Sequence, residues 1–282
     1  MTDNTTSTRP PPLPVFATLV NAMAFLWARR TEFLNLSFPA VLCLGVLNTL
    51  IALWLRDGEA TESAAEMGAL ALAARGAVAP MLVVLLVGLY FWTTFAVAWL
   101  RLVLLPKDQQ SPIEMLRWSR RHTRFMGYTL GLLAMVGFIS VFGLTFVSGL
   151  AQTQGAPAQG LWLLVLVGTV LVYARFSQVL PAAAIEHGLR FNESWYLTRG
   201  QTGRLLGLFA AALVVPGLIM SGLQGVLVSL LDGSTSFMGL FVRAFVGNLL
   251  NYVGLAYLVT VLSLVYDHLR VRRPPSVDLT VS

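Results

Sequence analysis

Six long apolar runs divide the chain, at about residues 34–55, 79–101, 126–148, 161–180, 205–230 and 240–266. Charge enters them only as Arg101, Arg175 and Arg243. About 20 apolar residues, coiled at 1.5 Å per residue, cross the roughly 30 Å hydrocarbon layer of a bilayer. Apolar and polar residues do not alternate inside the runs, which excludes the strands of a membrane barrel. In lipid the backbone must close its own hydrogen bonds, so each run is expected to be a helix. The pattern predicts an all-α polytopic membrane helix bundle with six transmembrane helices. Residues 1–18 read as a disordered tail, 19–270 as the membrane domain and 271–282 as a second tail.

Composition agrees with this class. Of 282 residues, 56% are hydrophobic and 11% charged, with mean hydropathy +0.74. A soluble domain carries roughly 25% charged residues. The basic residues are partitioned. Arg9, Arg29 and Arg30 precede the first run, and Lys107, Arg117, Arg120, Arg121 and Arg124 follow the second. Arg190, Arg199 and Arg204 lie between the fourth and fifth, and Arg270, Arg272 and Arg273 follow the sixth. The alternate connections hold Arg56 and Arg75 with the acids Asp57, Glu59, Glu62, Glu66 and Asp232. Lys and Arg concentrate in cytoplasmic loops, so both termini are expected in the cytoplasm. The net charge of +6 is then a membrane-surface feature, and no soluble basic face for nucleic acid is present. The single cysteine, Cys43, excludes an internal disulfide. The proline-rich start does not read as a cleaved signal.

Between the runs, two cytoplasmic segments are expected to form short interfacial helices. Ser111-Pro112-Ile113-Glu114 carries a capping box, and Asn192 is placed to cap a turn that Gly200 ends. Residues 57–76 are read as partly helical and 151–160 as a turn. Trp followed by Arg recurs before each odd run, at Trp27, Trp118 and Trp195, and Arg followed by Pro recurs after each even run. This is either three parallel two-helix repeats or the ordinary chemistry of membrane interfaces.

Arg175 poses the sharpest local question. It lies about 21 Å of helix beyond Leu161, or about 27 Å beyond Pro157. It is read as snorkelling to the headgroups; the alternatives are a bundle-facing arginine bound to a lipid phosphate, a substrate anion or Glu186. Arg101, Arg120, Arg121, Arg175, Trp195 and Arg199 are the candidate lipid-headgroup residues. Arg243, Asn248 and Asn251 are the intramembrane polar group, with the two asparagines on one helical face and read as interhelical glue. Gly127 with Gly131, and Gly203 with Gly207 and Ala211, have the spacing of close helix packing. Pro216-Gly217 is expected to kink or loosen the fifth run.

No enzyme chemistry is expected. His122, His187 and His268 are read as solvated at the cytoplasmic interface, no hydrolase or phosphate-loop motif occurs, and no cofactor or metal is called for. Arg175, Pro181-Ala182-Ala183, Glu193-Ser194-Trp195 and Thr198-Arg199-Gly200 resemble a pattern in six-span bacterial inner-membrane proteins related to the membrane domain of glycerophosphoryl diester phosphodiesterase. The resemblance implies a compact bundle in the bacterial inner membrane and a lipid-linked or envelope role. It does not imply hydrolysis, which belongs in that family to a separate soluble barrel. The layout also looks like that of mitochondrial carriers. Their signature is met in part at Pro106-Lys107-Asp108 and fails after Pro181 and Pro274, so transport is not carried over by that route. The expected role is non-enzymatic binding or organisation of membrane lipids, anionic ones included, or of a protein partner in the envelope. The alternative is a small-molecule or lipid transporter.

Overall fold

The computed structural model describes residues 13–57, 78–106, 117–154, 158–231 and 236–270. Among these the chain forms helices α1 (Val15–Ala28), α2 (Arg30–Asp57), α3 (Val78–Leu104), α4 (Arg120–Gln154) and α5 (Ala158–Phe176). There follow α6 (Val179–Ala184), α7 (Phe191–Leu197), α8 (Thr202–Leu230) and α9 (Phe237–Arg270). Six of them are long and apolar enough to cross a membrane. The protein is an all-α polytopic bundle. The run expected over 161–180 is broken: α5 stops at Phe176, Ser177 and Gln178 turn, and α6 restarts. Pro181 explains the break, because it has no N–H to give to a carbonyl one turn earlier, while the first turn of a new helix tolerates it. Residues 151–154 continue α4 and 158–160 open α5, so the turn expected over 151–160 is not formed at these positions, and 155–157 lie outside the described residues. The capping box at 111–114 and the segment 58–76 lie outside the described residues.

The first surprise is at the N-terminus. Leu13 is buried and α1 begins at Val15, inside the stretch read as tail. Thr18, Ala22 and Leu26 face the bundle, while Phe16, Met23 and Trp27 face outward. An apolar residue on both faces suits a helix lodged at a membrane boundary.

Helices α2, α4 and α8 start, and α3, α5 and α9 end, at the end of the bundle that carries most of the described arginines; we call this the basic end. The core is concentrated there. From Thr93 to Leu100 every residue of α3 is buried. So is most of α9 from Ala256 to Leu269. These two segments form the axis around which the others pack. Trp99 is fully buried, and its indole N–H must find an acceptor away from water. It donates to Thr260 Oγ1 at 2.8 Å, and that hydroxyl passes its own proton to the Ala256 carbonyl at 2.7 Å. Phe33 and Phe25 set their edges against the Trp99 ring at 6.0 Å, and Phe95 stacks on it at 5.9 Å. Edge-on and offset rings are the favoured geometries of aromatic pairs. This cluster ties α1, α2, α3 and α9 together.

The two-helix units are not equivalent in this bundle. α9 is the most buried of the six spans and α4 the least. The recurring Trp, Arg and Pro therefore do not express a threefold arrangement. Nor do the spaced glycines make close contacts. A Cβ placed at Gly127, Gly203 or Gly207 would meet nothing within 4 Å, and one at Gly131 would meet only the Phe191 ring. Close approach occurs elsewhere. A Cβ at Gly143 would lie 2.8 Å from both methyls of Val165, where α4 presses on α5. α8 runs unbroken through Pro216.

Gly143→Ala is therefore expected to lower stability by about 1–3 kcal/mol through overpacking. Gly127→Ala is expected to be neutral or slightly stabilising. Thermal unfolding of the purified variants in detergent checks both; equal melting temperatures would refute the close α4–α5 contact.

Candidate functional site

The segment from Ser177 to Gln201 has a buried first part and a largely exposed second part, where His187, Trp195, Tyr196 and Arg199 are exposed. Its first half turns inward: all six residues of α6, from Val179 to Ala184, are buried against α3, α4 and α9. The ends of this element need partners because lipid offers none. The C-terminus of α6 closes with Glu186 at φ 63°, a left-handed conformation. The Glu186 N–H donates to the Ala183 carbonyl at 3.3 Å and the His187 N–H to the Ala182 carbonyl at 2.8 Å. That is the double bond pattern in which glycine usually occupies the left-handed position. Next, Glu193 reaches back to the Arg190 N–H at 3.2 Å and so opens α7. Asn192 does not cap this helix. It lies inside the first turn and accepts from the Glu193 N–H at 2.9 Å. Gly200, at φ 85°, ends the turn after α7 as expected.

Three arginines from three spans converge on this elbow. Arg101 of α3 donates to the Ala184 carbonyl at 3.4 Å. A cation near a helix C-terminus also meets the negative end of the helix dipole. Arg121 of α4 pairs with Glu186 at 3.7 Å. Arg175 of α5 places its guanidinium 3.8 Å from the centre of the Trp195 ring and donates to Thr202 Oγ1. Its own carbonyl accepts from Ser194 Oγ at 2.5 Å. Trp195 is stacked on its other neighbour, Phe176, at 5.4 Å. The Arg175 guanidinium is thus held by a ring and a hydroxyl of the protein, while its buried Nε has no hydrogen-bond partner among the described residues. Glu186 is paired, but with Arg121 and not with Arg175. Of the headgroup candidates, Arg120 and Arg199 are exposed at the basic end.

His122 departs from expectation in another way. It is fully buried, stacked on Trp118 at 5.3 Å, and its Nδ1 accepts from the Ser119 N–H at 3.2 Å. It serves as the N-terminal cap of α4, a role that the spacing Ser119-x-x-His122 carries in the sequence. Among the described residues no three metal-ligating side chains cluster.

The other half of the bundle is open. Two cavities lie between the helices there. The first, about 520 Å³, is set among α2, α8 and α9, and Asn48, Thr49, Gln224, Arg243, Asn248 and Asn251 are its polar lining. The second, about 560 Å³, is set among α2, α3, α4 and α9, with Tyr173 and Leu180 closing it from the basic end. Its wall is apolar, from Leu44, Val84 and Trp92 to Val136. Both volumes fall in the roughly 300–1,000 Å³ range of small-molecule sites. Asn48 of α2 and Asn248 of α9 line both cavities. Leu85 and Leu133 also line the second cavity, yet they are 63% and 58% exposed. It therefore opens sideways between α3 and α4, onto the apolar surface of the bundle.

The expected glue between helices is not made. The Asn248 amide nitrogen is buried and finds no hydrogen-bond partner among the described residues. Asn48, Gln224 and Asn251 face the cavity without side-chain hydrogen bonds to described residues. Spacing placed Asn248 and Asn251 on one face of α9; it carried no sign that the facing helices stand apart there. Asn48 and Gln224 escaped notice because each is a lone amide in an apolar run.

No protein-family model, curated protein or solved structure matches this chain.

Arg175→Ala is expected to cost about 2 kcal/mol, from a lost charged hydrogen bond and cation–π contact. Arg199→Ala, on an exposed side chain, should stay within about 0.5 kcal/mol. Denaturation midpoints of the two variants separate a structural arginine from a headgroup contact; the reverse order would overturn the assignment. Gly200→Ala should cost about 1 kcal/mol by forcing a side chain into the left-handed region.

Proposed function

We propose that this integral membrane protein binds lipid inside its helix bundle and carries out no chemistry on it. The observation that supports this reading is the apolar cavity that opens sideways between α3 and α4 through Leu85 and Leu133. A hydrocarbon chain can enter such an opening from the bilayer without crossing water. The buried elbow walls the cavity on the basic side through Leu180. The proposal places the basic end in the cytoplasm of a bacterial inner membrane, on the strength of the arginine partition. It keeps the kinship with the six-span membrane domain of glycerophosphoryl diester phosphodiesterase, on the strength of the elbow residues alone. Transport of the bound molecule is the second reading. It is favoured by one observation: the two cavities share Asn48 and Asn248 in their linings.

Native mass spectrometry of protein extracted gently from its own membrane is expected to show a retained lipid. A side chain at Gly88 would enter the apolar cavity, since a Cβ there meets only Leu44 Cδ2, at 4.0 Å. Gly88→Leu should therefore cut lipid retention several-fold with the melting temperature unchanged. A wild-type protein that emerges free of lipid would refute the proposal. Orientation has its own test: single cysteines at positions 5 and 280, in a Cys43→Ser background, should react with an impermeant maleimide only after the cells are opened.

A further inference from the structure

We propose that the two cavities hold one anionic amphiphile, with its headgroup at Arg243 in the polar cavity and its acyl chain in the apolar one. The inference rests on the lipid-binding reading above and adds the charge, the position and the direction of the ligand.

Charge is the first argument. Among the described residues Arg243 is the one charged side chain that lines the polar cavity, and no described acid lines it. Among the described residues Arg243 has neither an ion pair nor a hydrogen bond. Arg243 is itself exposed near the start of α9, open to a ligand that enters the cavity. A guanidinium offers five N–H donors and no acceptor. The buried Asn248 amide nitrogen adds donors aimed at the same space. Donors in excess call for a ligand made of acceptors, such as a carboxylate or phosphate. A quaternary ammonium headgroup would need aromatic rings or an acid around it. Among the described residues the polar cavity has neither.

Depth is the second argument. α9 has 34 residues and is about 50 Å long, against roughly 30 Å of hydrocarbon, so about 10 Å stands clear at each end when it is centred. Arg243 lies six residues from Phe237, about 9 Å along the axis, which is headgroup level. Asn248 lies about 8 Å deeper, just inside the hydrocarbon. The apolar cavity shares Asn48 and Asn248 with the polar one, and its other polar lining among the described residues is Thr129 and Tyr173. Polarity therefore falls along the path from Arg243 inward, as it does along an anionic lipid from head to tail.

The test uses the full chain in nanodiscs of equal parts phosphatidylglycerol and phosphatidylcholine with matched chains, doped with oleate. Retained lipid is read by native mass spectrometry, and its mass tells an anionic phospholipid from a fatty acid. Wild type should keep an anionic species over phosphatidylcholine by about tenfold, a difference of about 1.4 kcal/mol. Arg243→Gln should abolish that preference, and Arg243→Lys should keep most of it. Gly88→Leu should lower retention of both lipid classes. Lipid held without regard to charge, or a preference that survives Arg243→Gln, would overturn the inference while leaving lipid binding intact. A wild-type protein that holds no lipid would overturn both.

Discussion

A helix that stops inside a membrane leaves carbonyl groups without donors, and hydrocarbon supplies none. α5 stops at Phe176, and much of the basic half of the bundle is arranged to answer that break. The Ser177 N–H returns to the Tyr173 carbonyl, and Ser194 reaches across from α7 to the Arg175 carbonyl. Arg101 covers the end of α6, and Glu186 accepts a left-handed backbone so that two N–H groups can turn back onto Ala182 and Ala183. A non-glycine residue in that conformation costs about 1–2 kcal/mol. The Arg121 ion pair gives a reason for an acid at the position.

The two halves of the molecule divide its tasks. At the basic end α3 and α9 are enclosed, aromatic rings interlock around Trp99, and its indole finds the Thr260 hydroxyl. Toward the other end α4 and α5 still press together at Gly143 and Val165, but the amides of α2, α8 and α9 face space and not one another. Close packing is the main source of helix association in lipid, where the hydrophobic effect between helices is absent. A bundle firmly packed at one end can therefore stay open at the other. In such an arrangement ligand-dependent motion is expected to concentrate in the open half, where contacts are fewest.

Hydrophobic pattern was enough for the class of fold and for six spans, since their lengths are set by the bilayer and their helical form by backbone hydrogen bonding. Five of the six long helices contain their runs and extend them by up to several residues, because capping and interfacial turns carry no strong pattern; the run over 161–180 is divided between α5 and α6. The local code was legible at Gly200, whose left-handed backbone glycine alone adopts freely. It was silent on the partners of Arg175. A sequence places an arginine near the membrane surface, but it does not say whether the guanidinium meets a phosphate or an indole 20 residues further on.

What the sequence by itself determined is whatever depends on one segment and its solvent: helix, span and the end of the bundle that gathers positive charge. Tertiary structure alone decided which residues meet. It turned the elbow inward, buried His122, left Gly127 and Gly207 without close neighbours and pressed Gly143 onto Val165. It also brought Asn48 and Gln224 to the same space as Arg243, Asn248 and Asn251. The physical reason is that lipid and a neighbouring helix are nearly alike to an apolar side chain. Hydropathy marks a run as membrane-embedded, and only shape complementarity between runs selects the faces that close and those that stay open.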